Sequence, residues 1–155
     1  MGEVLPEDKV TAIITKDVVT VEPSETIRTA LNKMHVEDVG CIIVKKDGRP
    51  VGIITERDIT RLAAKAEDAN FLEAEVGTVM RKPLISVDPD TSIWDALEIM
   101  LSNDIRRLPI MKGDELSGIV TEKDIAVWIL KIAYEPQIPE KLRRLIEKLQ
   151  RQEKL

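Results

Sequence analysis

Histidine and cysteine are nearly absent from this chain, which holds one of each in 155 residues, His35 and Cys41. A single cysteine excludes an intramolecular disulfide, and its place at the start of an apolar run reads as a buried thiol. One histidine beside one cysteine leaves too few of the usual ligands for a structural zinc site. A Ser-His-Asp triad would have to use His35, which lies in a helical pattern with no companion signature around a serine. Aromatic residues are scarce, at 3%. Neither a phosphate-gripping Gly-Lys loop nor a Gly-x-Gly-x-x-Gly fingerprint occurs, and no paired catalytic signature replaces them, so the expectation is that the chain is not an enzyme. No stretch approaches transmembrane length, and the N-terminus has no apolar core behind a basic start. The expected location is cytoplasmic, without membrane association.

What is present is a globular composition, 43% hydrophobic and 33% charged, with a net charge of −5. That charge gives no general attraction to nucleic acid, which is disfavoured as a partner. The strongest feature is a repeat. Gly52-Ile53-Ile54-Thr55-Glu56-Arg57-Asp58 returns as Gly118-Ile119-Val120-Thr121-Glu122-Lys123-Asp124, an offset of 66 residues. The same offset superposes Pro23 on Pro89, Ile27 on Ile93, Ala30 on Ala96, Leu31 on Leu97, Met34 on Met100 and Asp38 on Asp104, without a gap. Each copy alone would bury a marginal core, so one pseudo-symmetric globule is expected, with a shared interface. The expected units are residues 8–65 and 74–133, followed by an amphipathic helix over 138–155.

Within each copy the pattern predicts helix, strand, helix, strand, strand, helix, an α+β arrangement. Val10, Ile13 and Ile14, repeated as Val76, Val79 and Met80, predict short leading helices. First strands are expected at Val18 to Val21 and Leu84 to Val87, and helices starting near Thr26 and Ser92. Hairpins follow: Cys41 to Val44 with Val51 to Thr55 across Lys45-Lys46-Asp47-Gly48, and Leu108 to Met111 with Leu116 to Thr121 across Lys112-Gly113-Asp114. The Ala- and Glu-rich linker from Lys65 to Glu75 can itself be helical. Ile125 to Ala133 is apolar on nearly every face and needs burial on more than one side. A homodimer interface that includes Trp94 would supply it, as would the last helix folding back. That helix carries Leu142, Leu145, Ile146 and Leu149 on one stripe among basic residues, suited to docking, dimerisation or an acidic partner.

The repeated heptapeptide has a chemistry of its own. Apolar residues after Gly end a buried strand, and Thr followed three residues later by an acid starts a helix. At such a corner the free N–H groups and the helix dipole favour an anion. Thr adds a hydroxyl, Arg57 or Lys123 a cation, and Asp58 or Asp124 a carboxylate able to accept two hydrogen bonds from a vicinal diol. Phosphate donors beside a diol acceptor suggest a ribonucleotide. The alternative is that Thr-x-x-Asp is a helix cap with its cations in solvent.

The pattern Gly-x-x-Thr-x-x-Asp after an apolar strand, preceded by Val-x-Pro-x-x-(Thr/Ser)-Ile-x-x-Ala-Leu-x-x-Met, resembles the CBS domain, named after cystathionine β-synthase. Both copies carry it, from Val21 to Asp58 and from Val87 to Asp124. The resemblance implies a non-catalytic regulatory module, with no cofactor, that binds AMP, ADP, ATP or an S-adenosyl compound between its copies. Such a module would signal to a dimer mate or an unidentified regulated protein. By the same resemblance Arg106 and Arg107 reach ligand phosphates, where Gly40 and Cys41 of the first copy cannot. Thr121, Asp124 and Lys123 with these arginines form the expected stronger site, followed by Thr55, Arg57 and Asp58. The adenine slots would be lined by Val18, Val19, Thr20 and Cys41 in the first copy. In the second they would be lined by Leu84, Ile85, Ser86, Leu108 and Pro109. The rival function is a ligand-free structural dimerisation or DNA-associated module that uses the basic C-terminal helix.

Overall fold

A computed structural model describes residues 8–134 together with 140, 143, 144, 147, 148 and 151. Both hairpins form where the turn chemistry places them. Strands β2 (Cys41–Lys46) and β3 (Arg49–Thr55) meet at Asp47 and Gly48, whose φ values of 53° and 75° are what a two-residue hairpin turn demands. In the second copy β4 (Arg107–Lys112) and β5 (Glu115–Thr121) turn at Gly113, φ 62°. The turns are tighter than expected, because Lys45, Lys46 and Lys112 join the strands. Both hairpins carry an irregularity at the same place, Val44/Lys45 and Ile110/Met111.

The longer helices start on side-chain caps. Thr26 accepts from Thr29 N at the head of α1 (Ile27–Glu37), and Ser92 accepts from Asp95 N at the head of the equivalent helix, Ile93–Ser102. The closing helix of the first copy is α2 (Glu56–Lys65), followed by a 3-10 turn at Ala69–Glu73 and the short α3 (Val76–Val79). Ile93–Ser102 is then α4, and α5 (Glu122–Tyr134) closes the second copy. The leading helix of the first copy is a single 3-10 turn, Val10–Ala12.

The first strands differ. Thr20–Val21 forms β1, parallel to β2, with Ile43 N donating to Val19 O at 3.1 Å. Its expected counterpart at Leu84 to Val87 is no strand: Val87 makes one bridge to Ile110. The residue equivalent to Ile43 is Pro109, which has no N–H to donate, so the ladder stops there.

The packing exchanges segments between the copies. Val10 lies in the core of the second copy, against Ile93, Met100 and Trp128, while Val76 lies in the core of the first, with Ile27, Met34 and Ile54. Backbone bridges repeat the exchange: Thr15 pairs with Ile119 and Arg81 with Ile53, each a leading segment on the last strand of the other copy. The repeated glycines permit it. A Cβ at Gly52 would sit 2.6 Å from Met80 Sδ and 2.8 Å from Arg81 O, and one at Gly118 would meet Thr15 O and Ile14.

Strand alternation then sorts the hairpin residues. Ile42, Val44 and Ile54 face the first core, and Leu108, Ile110 and Val120 the second. Cys41, Ile43 and Ile119 point the other way, into a thin apolar layer between the copies that Val18, Ile53 and Leu84 complete. Helix α5 finds much of its burial inside the chain. Trp128 donates from Nε1 to Asp8 Oδ2 at 2.7 Å and stacks edge-on against Trp94, ring centroids 5.0 Å apart. Val127 and Trp128 are buried within the single chain, and Ile129, Leu130 and Ile132 are half-buried. Of the expected C-terminal helix, the apolar stripe lies outside the described residues. Among the described residues no helix is long and apolar enough to cross a membrane.

Candidate functional site

The repeated corner builds the same device twice. Thr55 Oγ1 accepts from Asp58 N at 3.2 Å, while Asp58 Oδ2 accepts from Thr55 N at 3.0 Å and from Thr55 Oγ1 at 2.9 Å. In the second copy Asp124 N donates to Thr121 Oγ1 at 3.1 Å, and Thr121 N to Asp124 Oδ2 at 2.8 Å. Both are capping boxes with Asp in the place of the usual Glu or Gln. The cap occupies one carboxylate oxygen and leaves the other for further contacts. Both aspartates are 9% exposed. Asp58 Oδ1 takes Arg81 Nε at 2.8 Å. Asp124 Oδ1 has no hydrogen bond among the described residues; Thr15 stands where Arg81 stands in the other copy.

Two clefts lie beside these caps, and each is made from both copies. The first, of about 270 Å³, joins the Thr55–Glu56–Arg57 corner to Arg81, Pro83 and Ile85 and to the start of β4. The second, of about 360 Å³, joins the Thr121–Glu122–Lys123 corner to Asp17, Val18 and Val19 and to the start of β2. Each has an apolar wall: Ile53, Pro83, Ile85, Ile105 and Pro109 in the first, Val18, Val19, Val39, Cys41 and Ile119 in the second. Arg106 and Arg107 line both.

Arg107 reaches across the interface. A Cβ placed on Gly40 would collide with its guanidinium and lie 3.3 Å from Glu56 Oε2, so glycine there makes room for an arginine from the other copy. Arg106 pairs with Glu122 at 3.7 Å and Arg57 with Asp104 at 3.8 Å; these pairs are exposed and weak. Burial pushes the Cys41 thiol up to about 11, with Arg107 opposing and Glu56 reinforcing the shift. Cys41 is thus a neutral apolar wall at ordinary pH, not a nucleophile.

The expected site residues are thus divided. Thr121, Lys123, Val18, Val19 and Cys41 come together, as do Thr55, Arg57, Ile85 and Pro109, with Arg106 and Arg107 common to the two groups. The corner of one copy faces the slot of the other. Leu108 is fully buried in the second core, because alternation along β4 sends Arg107 and Pro109 to the cleft side and Leu108 inward. Leu84 belongs to the layer between the copies, and Thr20 is held in β1. Ser86 lines a separate open depression beside Val87 and Asp88. Asp58 and Asp124 lie behind the caps; Asp124 faces an adjoining groove of about 830 Å³ that shares Thr15, Asp17, Val19 and Val39 with the second cleft. Arg81 escaped the sequence reading. Its only signal is a cation where the aligned position holds Thr15.

A family model described as CBS domain matches residues 10–65 and 76–131. A CBS domain-containing protein of Bacillus subtilis is 39% identical over 115 residues, covering 74% of this chain and 80% of that protein. An uncharacterized protein of Methanocaldococcus jannaschii is 35% identical over 140 residues, which is 83% of this chain but 33% of that protein. The crystal structure of a CBS domain pair in complex with 5′-methylthioadenosine and S-adenosyl-L-methionine superposes with a TM-score of 0.72 at 23% identity, covering 80% of this chain and 97% of that one.

Proposed function

The chain belongs to the CBS domain family, and on that premise we propose that it is a non-catalytic regulatory module whose two clefts bind adenosyl ligands. The observation that carries this reading is the make-up of each cleft. An apolar wall from one copy suits a planar heteroaromatic base, a capped helix N-terminus from the other suits an anion, and two arginines stand between. The likeness to a domain pair solved with adenosyl compounds supports the same ligand class. A ligand in either cleft touches both copies, so it favours the arrangement in which corner and slot are closest. The resulting population shift is what a dimer mate or a regulated protein would read.

Calorimetric titration of AMP, ATP and S-adenosylmethionine into the purified chain tests this, with Asp58→Ala and Asp124→Ala alongside. Saturable binding is expected for at least one ligand, weakened about tenfold or more by the loss of a carboxylate that accepts the ribose hydroxyls. For S-adenosylmethionine Asp124→Ala should cost more, since Asp58 is already engaged by Arg81. Absence of heat and of any thermal shift with all three ligands would reduce the corners to helix caps and end the proposal.

A further inference from the structure

Pseudo-symmetry makes the two clefts comparable position by position. Thr55 answers Thr121, Glu56 answers Glu122, Arg57 answers Lys123 and Asp104 answers Asp38. The leading segments break the match. Arg81 in the first cleft stands opposite Thr15 in the second, and Pro83 stands opposite Asp17. Both changes act in one direction. Beside the first cleft Arg81 neutralises the buried Asp58, whereas beside the second Asp124 makes no ion pair among the described residues and Asp17 adds a carboxylate to the lining.

The remaining positive charge is a single shared pair. A symmetric module would carry one pair of cations at the start of each second strand, but here the first copy has Gly40 and Cys41 in those positions. Arg106 and Arg107 therefore serve both clefts, and Arg107 already crosses Gly40 toward Glu56. Without the pair, the first cleft retains Arg57, with Arg81 held by Asp58, against Glu56 and Asp104. The second retains Lys123 against Asp17, Asp38 and Glu122. A phosphate in the first cleft would draw the arginines to it and leave the second acidic.

Resting on the binding reading above, we propose that the clefts select ligands by charge. The Arg57 cleft takes a phosphorylated adenosyl ligand, and the Lys123 cleft takes an uncharged or cationic one. The shared Arg106 and Arg107 prevent both from holding a phosphate at once. This reverses the preference expected from sequence, in which the second copy's corner was the stronger phosphate site. Because coupling between binding sites is reciprocal and phosphate in the first cleft draws the arginines from the second, a cationic ligand in the Lys123 cleft raises the affinity for phosphate in the other cleft, and an uncharged one leaves it intact.

The test is calorimetry on the full chain with AMP and S-adenosylmethionine, singly and in sequence. One AMP per chain is expected, and one S-adenosylmethionine per chain should still bind AMP-saturated protein, at least as tightly as it binds the free chain. The double variant Thr15→Arg with Asp17→Asn, both at exposed positions, gives the second cleft the charges of the first and should raise AMP stoichiometry from one to two. Two equal, independent AMP sites in the unaltered chain would overturn the inference while leaving the function intact. So would competition of the two ligands for one site, or failure of the folded double variant to gain an AMP. Absence of heat with either ligand would overturn the binding reading itself and this inference with it.

Discussion

Cys41 shows how a residue can line a cleft and also set the pH limit of the fold. Its thiol is 9% exposed and its pKa is raised from the ordinary 9.0 to about 11 by burial. The native state then keeps a proton that the unfolded chain has lost, so between these values the unfolded state binds fewer protons and stability falls as pH rises. The contribution is fully present below pH 9 and is lost as pH climbs through about 11, amounting to about 2 to 3 kcal/mol. Urea unfolding of the chain and of Cys41→Ala across this range should show a steeper decline in the parent, whatever the variant costs at pH 8. Parallel pH profiles would mean that the thiol ionises without resistance. Asp58 and Asp124 make a second point at this scale. Each is a cap that uses one oxygen, so capping does not exclude the ligand role that the sequence presents as its alternative; the second oxygen of Asp58 is taken by Arg81.

At the level of elements, the glycines fall into two kinds that composition alone does not separate. Gly48 and Gly113 are required by their positive φ, with open space where a Cβ would go. Gly52 and Gly118 are required because the leading segment of the other copy crosses them. Gly118→Ala should cost about 1 to 3 kcal/mol, since the backbone and side chain it would strike belong to a packed segment. Gly48→Ala should cost about 1 kcal/mol from backbone strain, and Gly48→Asn much less, because Asn tolerates that conformation. Urea midpoints of the three variants decide the matter; Gly118→Ala as stable as the parent would show that the crossing is loose. Much of this layer was legible beforehand. Capped helix starts, apolar stripes and the Asp47-Gly48 turn all follow from local rules. The missing strand at Leu84 to Val87 was legible in principle from Pro109. What local rules do not contain is the partner of a buried face: Val10 and Val76 read as buried, but nothing in their spacing tells which copy buries them.

That exchange governs the whole molecule and also explains why the site was only half readable. The sequence names about half of the residues that line the clefts, and a repeat aligned to itself groups them by copy, whereas crossing leads regroup them by cleft. Stability should follow the same division. The first core is completed by Phe71, Leu72, Val76 and Met80, all C-terminal to its last helix, and the second by Val10, Ile13 and Ile14, far upstream of its first. A fragment of residues 17–82 therefore contains every part of the first core, while one of 8–70 carries Val10 with nothing to pack against and lacks Val76. Both are small enough for stability to be marginal. Far-UV circular dichroism with urea should find a cooperative transition in 17–82 and a shallow, non-cooperative loss of signal in 8–70. Equal behaviour would mean that the crossing segments decorate two self-sufficient units rather than complete them. In that case a ligand bridging corner and slot would hold together bodies able to move independently. With the crossing intact, it instead closes a cleft whose two walls are already tied by Thr15 to Ile119 and Arg81 to Ile53. On the proposed function, the motion open to a signal would be a small change of angle about those two bridges.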